Sequence, residues 1–223
     1  MRFYAIPPWI LQTIIWIPTR LSLKLFCGLK VNGLENIIHL KKGIIFATNH
    51  TSELDPILIP ASLPFLSRFM PMFYTSRERN YYKDNRFGWK KNIYGGNFFK
   101  AWGAHEVLVG QNNYELALKN HVQILKDEHS ICIFPEGRKN TTGGDIETKG
   151  GIGYLAYKTN SPIIPVAISG AIEKKNITIE FGRPLYPRDI FEDVKNIKID
   201  KNTDDCKKAA AFVMAVIKKS ITK

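Results

Sequence analysis

Two short apolar runs, residues 43–48 and 131–134, each end abruptly in a cluster of polar and charged side chains. Runs of that length, bounded by turn-forming residues, read as buried strands, and strands alternating with helical patterns build an α/β sheet. In open sheets of that kind ligands collect beyond the carboxyl ends of the strands, so the two clusters are expected to converge on one crevice. The first is Asn49-His50-Thr51-Ser52-Glu53-Leu54-Asp55-Pro56 and the second is Pro135-Glu136-Gly137-Arg138-Lys139.

His50 and Asp55 suit a general base. Imidazole titrates near neutral pH, and a carboxylate that fixes its tautomer and stabilises its cation lets it take a proton from an alcohol without a serine or cysteine nucleophile. Five steps along a regular helix rotate by about 140°, which would turn the two residues apart, so a turn must join them. Asp55 ahead of Pro56 reads as an N-cap followed by proline at the first helical position, with Ile57, Leu58 and Ile59 continuing the helix. A purely structural alternative has Asp55 only capping and His50 only finishing a strand. The second cluster shifts the balance toward chemistry. Glu136 can accept hydrogen bonds from hydroxyls, Gly137 allows close backbone approach, and Arg138 with Lys139 supplies cations suited to a phosphate.

Taken in order, His50 with Asp55, then Phe134-Pro135-Glu136-Gly137, then Pro162-Ile163-Ile164-Pro165-Val166, resemble the glycerophospholipid acyltransferase family, and within it the bacterial 1-acyl-glycerol-3-phosphate acyltransferases. The resemblance covers roughly residues 30–187, and several ordered motifs weigh more than any single pattern. It implies a mixed, mainly parallel sheet flanked by helices, and transfer of a fatty acyl group from coenzyme A or acyl carrier protein to a lysophospholipid hydroxyl. In that scheme His50 is the base, Asp55 orients it, and Glu136 and Gly137 help to bind the glycerol phosphate. Residues around Pro162 and Pro165 shape the acyl or acceptor pocket. No metal or redox cofactor is called for. Two departures stand out. Arg138 follows Gly137 directly and Lys139 takes the usual arginine place, so either could hold the phosphate. The arginine of the second motif is missing: one alignment, residues 96–100, substitutes Lys100, and the other, residues 103–107, has no cation there.

Lys and Arg number 32 against 20 Asp and Glu, a formal balance of +12, which points to an anionic partner. Nucleic acid and anionic lipid both qualify. Residues 3–19 carry no charge and include Trp9, Ile10, Leu11, Ile14, Ile15, Trp16 and Ile17, with Arg20 and Lys24 following. A spanning helix needs about 20 apolar residues, and Pro7, Pro8 and Pro18 leave a usable helix of roughly ten, so interfacial insertion is expected rather than a span. On this reading residues 1–29 form a membrane-associating segment and residues 30–223 a single acyltransferase domain, attached to the cytoplasmic face of a membrane. The alternative is a first helix packed on the protein's own core. Cys27, Cys132 and Cys206 are odd in number and widely spaced, which fits a reducing compartment rather than a disulfide framework.

Residues 63–102 mix aromatic and basic side chains, among them Phe65, Phe69, Phe73, Tyr74, Arg77, Arg79, Tyr81, Lys83, Arg86 and Trp89. That mixture could read single-stranded nucleic acid or cover a lipid headgroup surface, and the flanking motifs favour lipid with no nucleic-acid partner. A basic single-stranded nucleic-acid-binding protein and a His50-dependent thioester hydrolase remain the competing readings. Residues 114–126 and 204–221 read as amphipathic scaffold helices. Residues 151–156 spell a dinucleotide fingerprint but follow no buried strand, so a helix packed through small residues is expected. His39, His105, His121 and His129 lack metal-ligand spacing and read as surface or core-edge histidines.

Overall fold

A computed structural model describes residues 2–77, 88, 97–108, 113–140, 144, 146–173, 175–191 and 204–221. In chain order the helices are α1 (Ile6–Phe26), α2 (Asp55–Ser62), α3 (Asn97–Trp102), α4 (Tyr114–Ala117), α5 (Lys119–Lys126), α6 (Gly151–Thr159), α7 (Pro187–Ile190) and α8 (Asp204–Ile221). The strands are β1 (Lys30–Asn32), β2 (Ile45–Thr48), β3 (Met72–Ser76), β4 (Ala104–Glu106), β5 (Ser130–Ile133), β6 (Ile163–Ser169) and β7 (Thr178–Phe181). They form one seven-stranded sheet in the order β1-β7-β6-β2-β5-β3-β4. Strands β6, β2, β5, β3 and β4 run parallel, while β7 is antiparallel to β6 and pairs in parallel with β1. The sheet is thus mixed and mainly parallel, with helices on both faces.

The two faces follow from alternation of side chains along each strand. Phe46, Met72, Tyr74, Cys132, Ile164 and Val166 pack on one side with Leu23, Leu58, Ile59 and Trp102, the side of α1, α2 and α3. Ile45, Ala47, Phe73, Ile131, Ile133 and Ile163 pack on the other with Leu125, Leu155 and Val213, the side of α5, α6 and α8. Helix α6 holds the glycine-rich residues 151–156. Gly153 lies so close to α8 that a Cβ there would sit 2.6 Å from the Cys206 carbonyl oxygen, so the glycine serves helix packing.

Three expectations about elements are corrected. The prolines do not cut the first helix to about ten residues, because α1 runs for 21 residues through all of them. Pro7 and Pro8 lie in the first turn, where no amide hydrogen is needed, and Pro18 removes one bond that tertiary fastening on either side outweighs. That fastening comes from Gln12, which bonds Met72 and Trp102, from Trp16 to the Leu63 carbonyl, and from Arg20 to the Ala61 carbonyl. No helix among the described residues is long and apolar enough to cross a membrane. The helix expected over residues 114–126 breaks at Leu118, with φ −115° and ψ 13°, into α4 and α5. His121, expected at the surface or core edge, is fully buried on α5.

Of the aromatic and basic run, Phe69, Met72, Phe73 and Tyr74 belong to the core. Arg79, Tyr81, Lys83, Arg86, Trp89 and the Gly96 of one second-motif alignment lie outside the described residues.

Candidate active site

Strand β2 ends at Thr48, and the next side chain extends its pairing. Asn49, 5% exposed, donates Nδ2 to the Ile168 carbonyl and accepts the Ile168 amide on Oδ1, both at 2.9 Å. A side-chain amide here copies a backbone peptide and ties the end of β2 to β6. His50 therefore leaves the carboxyl end of a strand that is held on both sides.

The His50 imidazole is fixed by two contacts. Its Nδ1 lies 2.9 Å from Asp55 Oδ2, and its ring stacks on Phe134 with centroids 4.1 Å apart. An ionised carboxylate only accepts, so the shared proton belongs on Nδ1 and Nε2 is left as a proton acceptor. The same Oδ2 accepts the amides of Thr51 at 2.7 Å and Ser52 at 2.9 Å. Those bonds curl residues 50–55 into the turn that the spacing requires. Asp55 is the first residue of α2 with Leu54 in the cap position, one place from the expected N-cap role. The carboxylate, fully buried, still sits where the positive end of the helix favours it. Beneath it the Cys132 thiol is pushed well up, first by burial and then by the charge of Asp55, and stays protonated.

The second cluster leaves the carboxyl end of β5, the neighbour of β2. Gly137 closes the turn by donating its amide to the Phe134 carbonyl at 2.9 Å, at a left-handed φ of 63° that glycine adopts without strain. Glu136, 4% exposed, accepts the His50 amide on Oε2 at 3.0 Å and the Asn140 Nδ2 on Oε1 at 2.9 Å. The Asn140 amide in turn donates to the His50 carbonyl at 2.6 Å. At the rim Lys139 pairs with Glu53 at 3.0 Å, both partly exposed, and Arg138 is exposed.

The structure thus brings His50, Asp55, Glu136, Gly137, Arg138 and Lys139 together at the carboxyl ends of β2 and β5. It does not bring Lys100 there. Lys100 lies on α3, ahead of the amino end of β4, which runs parallel to β2 through β3 and β5, so it stands at the opposite end of the sheet. Its charge is felt instead at His105, whose pKa is lowered by burial first and by Lys100 second. Pro165 is buried inside β6, paired with Ala47, and its carbonyl accepts the Gly182 amide at 2.8 Å. It shapes the sheet three residues short of His50.

Four residues at the site carried no role of their own in the sequence reading: Asn49, Asn140, Phe134, which stood only as part of a motif, and Arg77, which stood only in the aromatic and basic run. Arg77 leaves the carboxyl end of β3 and reaches the Gly137 carbonyl at 3.4 Å, adding a cation to the rim. Lys149 bonds the Pro135 carbonyl through its amide at 2.7 Å, and its side chain lies against Gly137. Among the described residues no group of three or more His, Cys, Asp or Glu could hold a metal ion. The chemistry on hand is a carboxylate-oriented imidazole facing a cationic rim, which fits proton abstraction from a hydroxyl on an anionic substrate.

Comparison with known proteins bears on the family and the fold. The family model described as acyltransferase matches residues 28–169. A probable 1-acyl-sn-glycerol-3-phosphate acyltransferase of Mycoplasma genitalium is 25% identical over 151 residues, covering 66% of this chain and 52% of that protein. A 1-acyl-sn-glycerol-3-phosphate acyltransferase of Limnanthes douglasii is 24% identical over 146 residues, covering 64% of this chain and 45% of the other. The chain spans about half the length of the curated relatives it matches. The crystal structure of the 1-acyl-sn-glycerophosphate acyltransferase PlsC of Thermotoga maritima shares the fold, with a TM-score of 0.60 and 18% identity over 95% of this chain and 80% of that one.

Proposed function

Because the chain belongs to the acyltransferase family, we propose that it moves a fatty acyl group from a thioester to the hydroxyl of a lysophospholipid, and that 1-acyl-glycerol-3-phosphate is the acceptor. The donor is acyl-coenzyme A or acyl carrier protein. The observation that carries this reading is the 2.9 Å contact between His50 Nδ1 and Asp55 Oδ2, beside a rim of Arg77, Arg138 and Lys139.

In the proposed reaction the acceptor hydroxyl gives its proton to His50 Nε2 as its oxygen attacks the thioester carbonyl carbon. A carbon–oxygen bond forms, the tetrahedral intermediate collapses, and the carbon–sulfur bond breaks. The proton then passes from Nε2 to the departing thiolate, which leaves as a thiol. Asp55 keeps the Nδ1 proton in place throughout and stabilises the imidazolium that forms between the two steps. A thioester is already activated, so the main need is a deprotonated, well-placed alcohol, and the rim cations would hold its phosphate. Gly137 gives the headgroup close access to the backbone.

A lipid acceptor also accounts for the first helix. Ile10, Ile14, Ile17, Leu21 and Leu25 of α1 are exposed, while Gln12, Trp16 and Arg20 are turned toward the protein. An apolar outer face with the exposed Lys24 beside it suits the headgroup boundary of an anionic membrane. We place that contact on a cytoplasmic face, in keeping with three free cysteines.

The test is transfer of labelled acyl chain from oleoyl-coenzyme A to lysophosphatidate by the purified protein in detergent micelles. His50→Ala should lower turnover by about 100-fold or more with the fold retained. Free fatty acid formed at the same rate with and without acceptor would instead identify a thioester hydrolase. Substantial turnover by H50A would remove the histidine from its role.

A further inference from the structure

We propose that Glu136 and Asn140 form a clamp on the His50 peptide and are positioning residues for the base, rather than ligands for the acceptor. The proposal rests on the acyl-transfer reading above, and its own observation is the set of hydrogen bonds that holds both backbone polar groups of one residue.

The His50 amide hydrogen is held by Glu136 Oε2 at 3.0 Å, and the His50 carbonyl is held by the Asn140 amide at 2.6 Å. Both polar groups of the residue that carries the imidazole are thus gripped by the loop that follows β5. Glu136 and Asn140 are themselves tied, Nδ2 to Oε1 at 2.9 Å, and Asn140 Nδ2 is braced against the Gly144 carbonyl at 2.7 Å. Glu136 is 4% exposed and Asn140 8% exposed. With one oxygen on His50 and the other on Asn140, the buried carboxylate faces inward and leaves little surface for the hydroxyl-accepting role expected from sequence. The clamp acts on position. Asp55 and Phe134 set the orientation of the ring, but both depend on where the His50 backbone stands, and errors near 1 Å in placement cost about 100-fold in rate. The same loop carries Gly137 and Arg138, so one element fixes the distance between the base and the cationic rim.

A substitution cycle tests this. Asn140→Asp sets a second acceptor against Glu136 and gives up the bond to the Gly144 carbonyl, and Glu136→Gln combined with it restores a donor and acceptor between the two side chains in reversed order while leaving an oxygen for the His50 amide. Asn140→Asp should lower kcat by about 10- to 100-fold and leave the acceptor KM within about twofold. The double variant should regain about tenfold over Asn140→Asp alone, a rescue that a ligand role for Glu136 does not produce. Should N140D fail to fold, Asn140→Ser takes its place with the same kinetic split expected. The proposal is overturned if E136Q raises the acceptor KM about tenfold with kcat retained, or if the double variant shows no recovery. Amide hydrogen exchange at His50, followed by NMR, decides the matter without any substrate. It should quicken by about tenfold or more in N140D and slow again in the double variant, and unchanged exchange sinks the clamp. A wild-type protein that transfers no acyl group would sink the acyl-transfer reading alone, since the exchange measurement would still stand.

Discussion

Asp55 concentrates its work on one oxygen. Oδ2 accepts three hydrogen bonds, from the imidazole and from two successive amides, while Oδ1, also buried, has no partner among the described residues. The residue therefore does two separable things: it folds the turn and it charges the site. Asn at this position keeps a carbonyl oxygen for the three donors but loses the negative charge and buries an amide with no acceptor nearby. Asp55→Asn should cut turnover by about 1,000-fold or more, by analogy with other carboxylate-oriented histidines, while costing only about 1–2 kcal/mol in stability. Asp55→Ala should match that loss of activity and cost more stability, about 2–4 kcal/mol, because the Thr51 and Ser52 amides lose their acceptor. Kinetics and urea unfolding of the two variants separate the roles, and equal stability losses would refute the division. His50 and Asp55 were legible in sequence because a local pattern holds them five residues apart. Asn140 and Arg77 were not, because their partners lie far along the chain: Asn140 reaches back to His50, and Arg77 meets Gly137 sixty residues away. An asparagine in a polar turn carries no sign of such a task.

Helix α1 is built inside out. At four-residue steps Gln12, Trp16 and Arg20 give hydrogen bonds to backbone carbonyls of the core, while Ile14 at 66% exposure and Leu21 at 55% face away. The apolar composition and the basic residues after it were readable, but the length was not, since proline count argued for a short helix and only tertiary hydrogen bonds reveal why it continues. The same arrangement joins the two readings of this segment, for one face packs on the core and the other is exposed and apolar. Two opposite outcomes follow. Ile14→Glu with Leu21→Glu should abolish sedimentation with anionic vesicles and change stability by no more than about 0.5 kcal/mol. Gln12→Leu strands the Met72 amide and two carbonyls, and should destabilise by about 2–4 kcal/mol without removing vesicle binding from the folded fraction. Vesicle binding that survives the paired glutamates would show that another surface carries the membrane contact.

Across the molecule the two ends of the sheet serve different needs. The carboxyl ends of β2, β5 and β3 carry the His50 site, and an aromatic and histidine cluster packs around Phe73 and His129 at the start of β3 and β5. There Tyr4 lies against Phe73, His105 and His129, with His121 beyond His105. Tyr4 donates its hydroxyl to Asp127 at 2.7 Å, and Arg2 pairs with the same carboxylate, so this cluster also seats the start of α1. All three histidines are held toward the neutral form. Burial lowers His121 to about 4, helped by His105 and partly offset by the nearby backbone of His105 and Tyr74. Burial lowers His105, with Lys100 adding to it, and burial lowers His129 against the pull of Asp127. A histidine in the unfolded chain titrates near 6.5, so on acidification the unfolded state takes up protons first. The stability these neutral rings confer is complete above about pH 6.5 and is lost as pH falls from there, until His121 itself protonates near 4. The slope in that window is at most about 1.4 kcal/mol per pH unit for each proton taken up. Urea midpoints measured from pH 7.5 to pH 4.5 should therefore fall steadily, and His121→Leu should flatten part of the decline because it removes the most strongly shifted ring. A wild-type midpoint that is level between pH 6.5 and pH 5 would mean that the cluster accepts protons in the folded state, and Tyr4 would then be seated on charged rather than neutral rings.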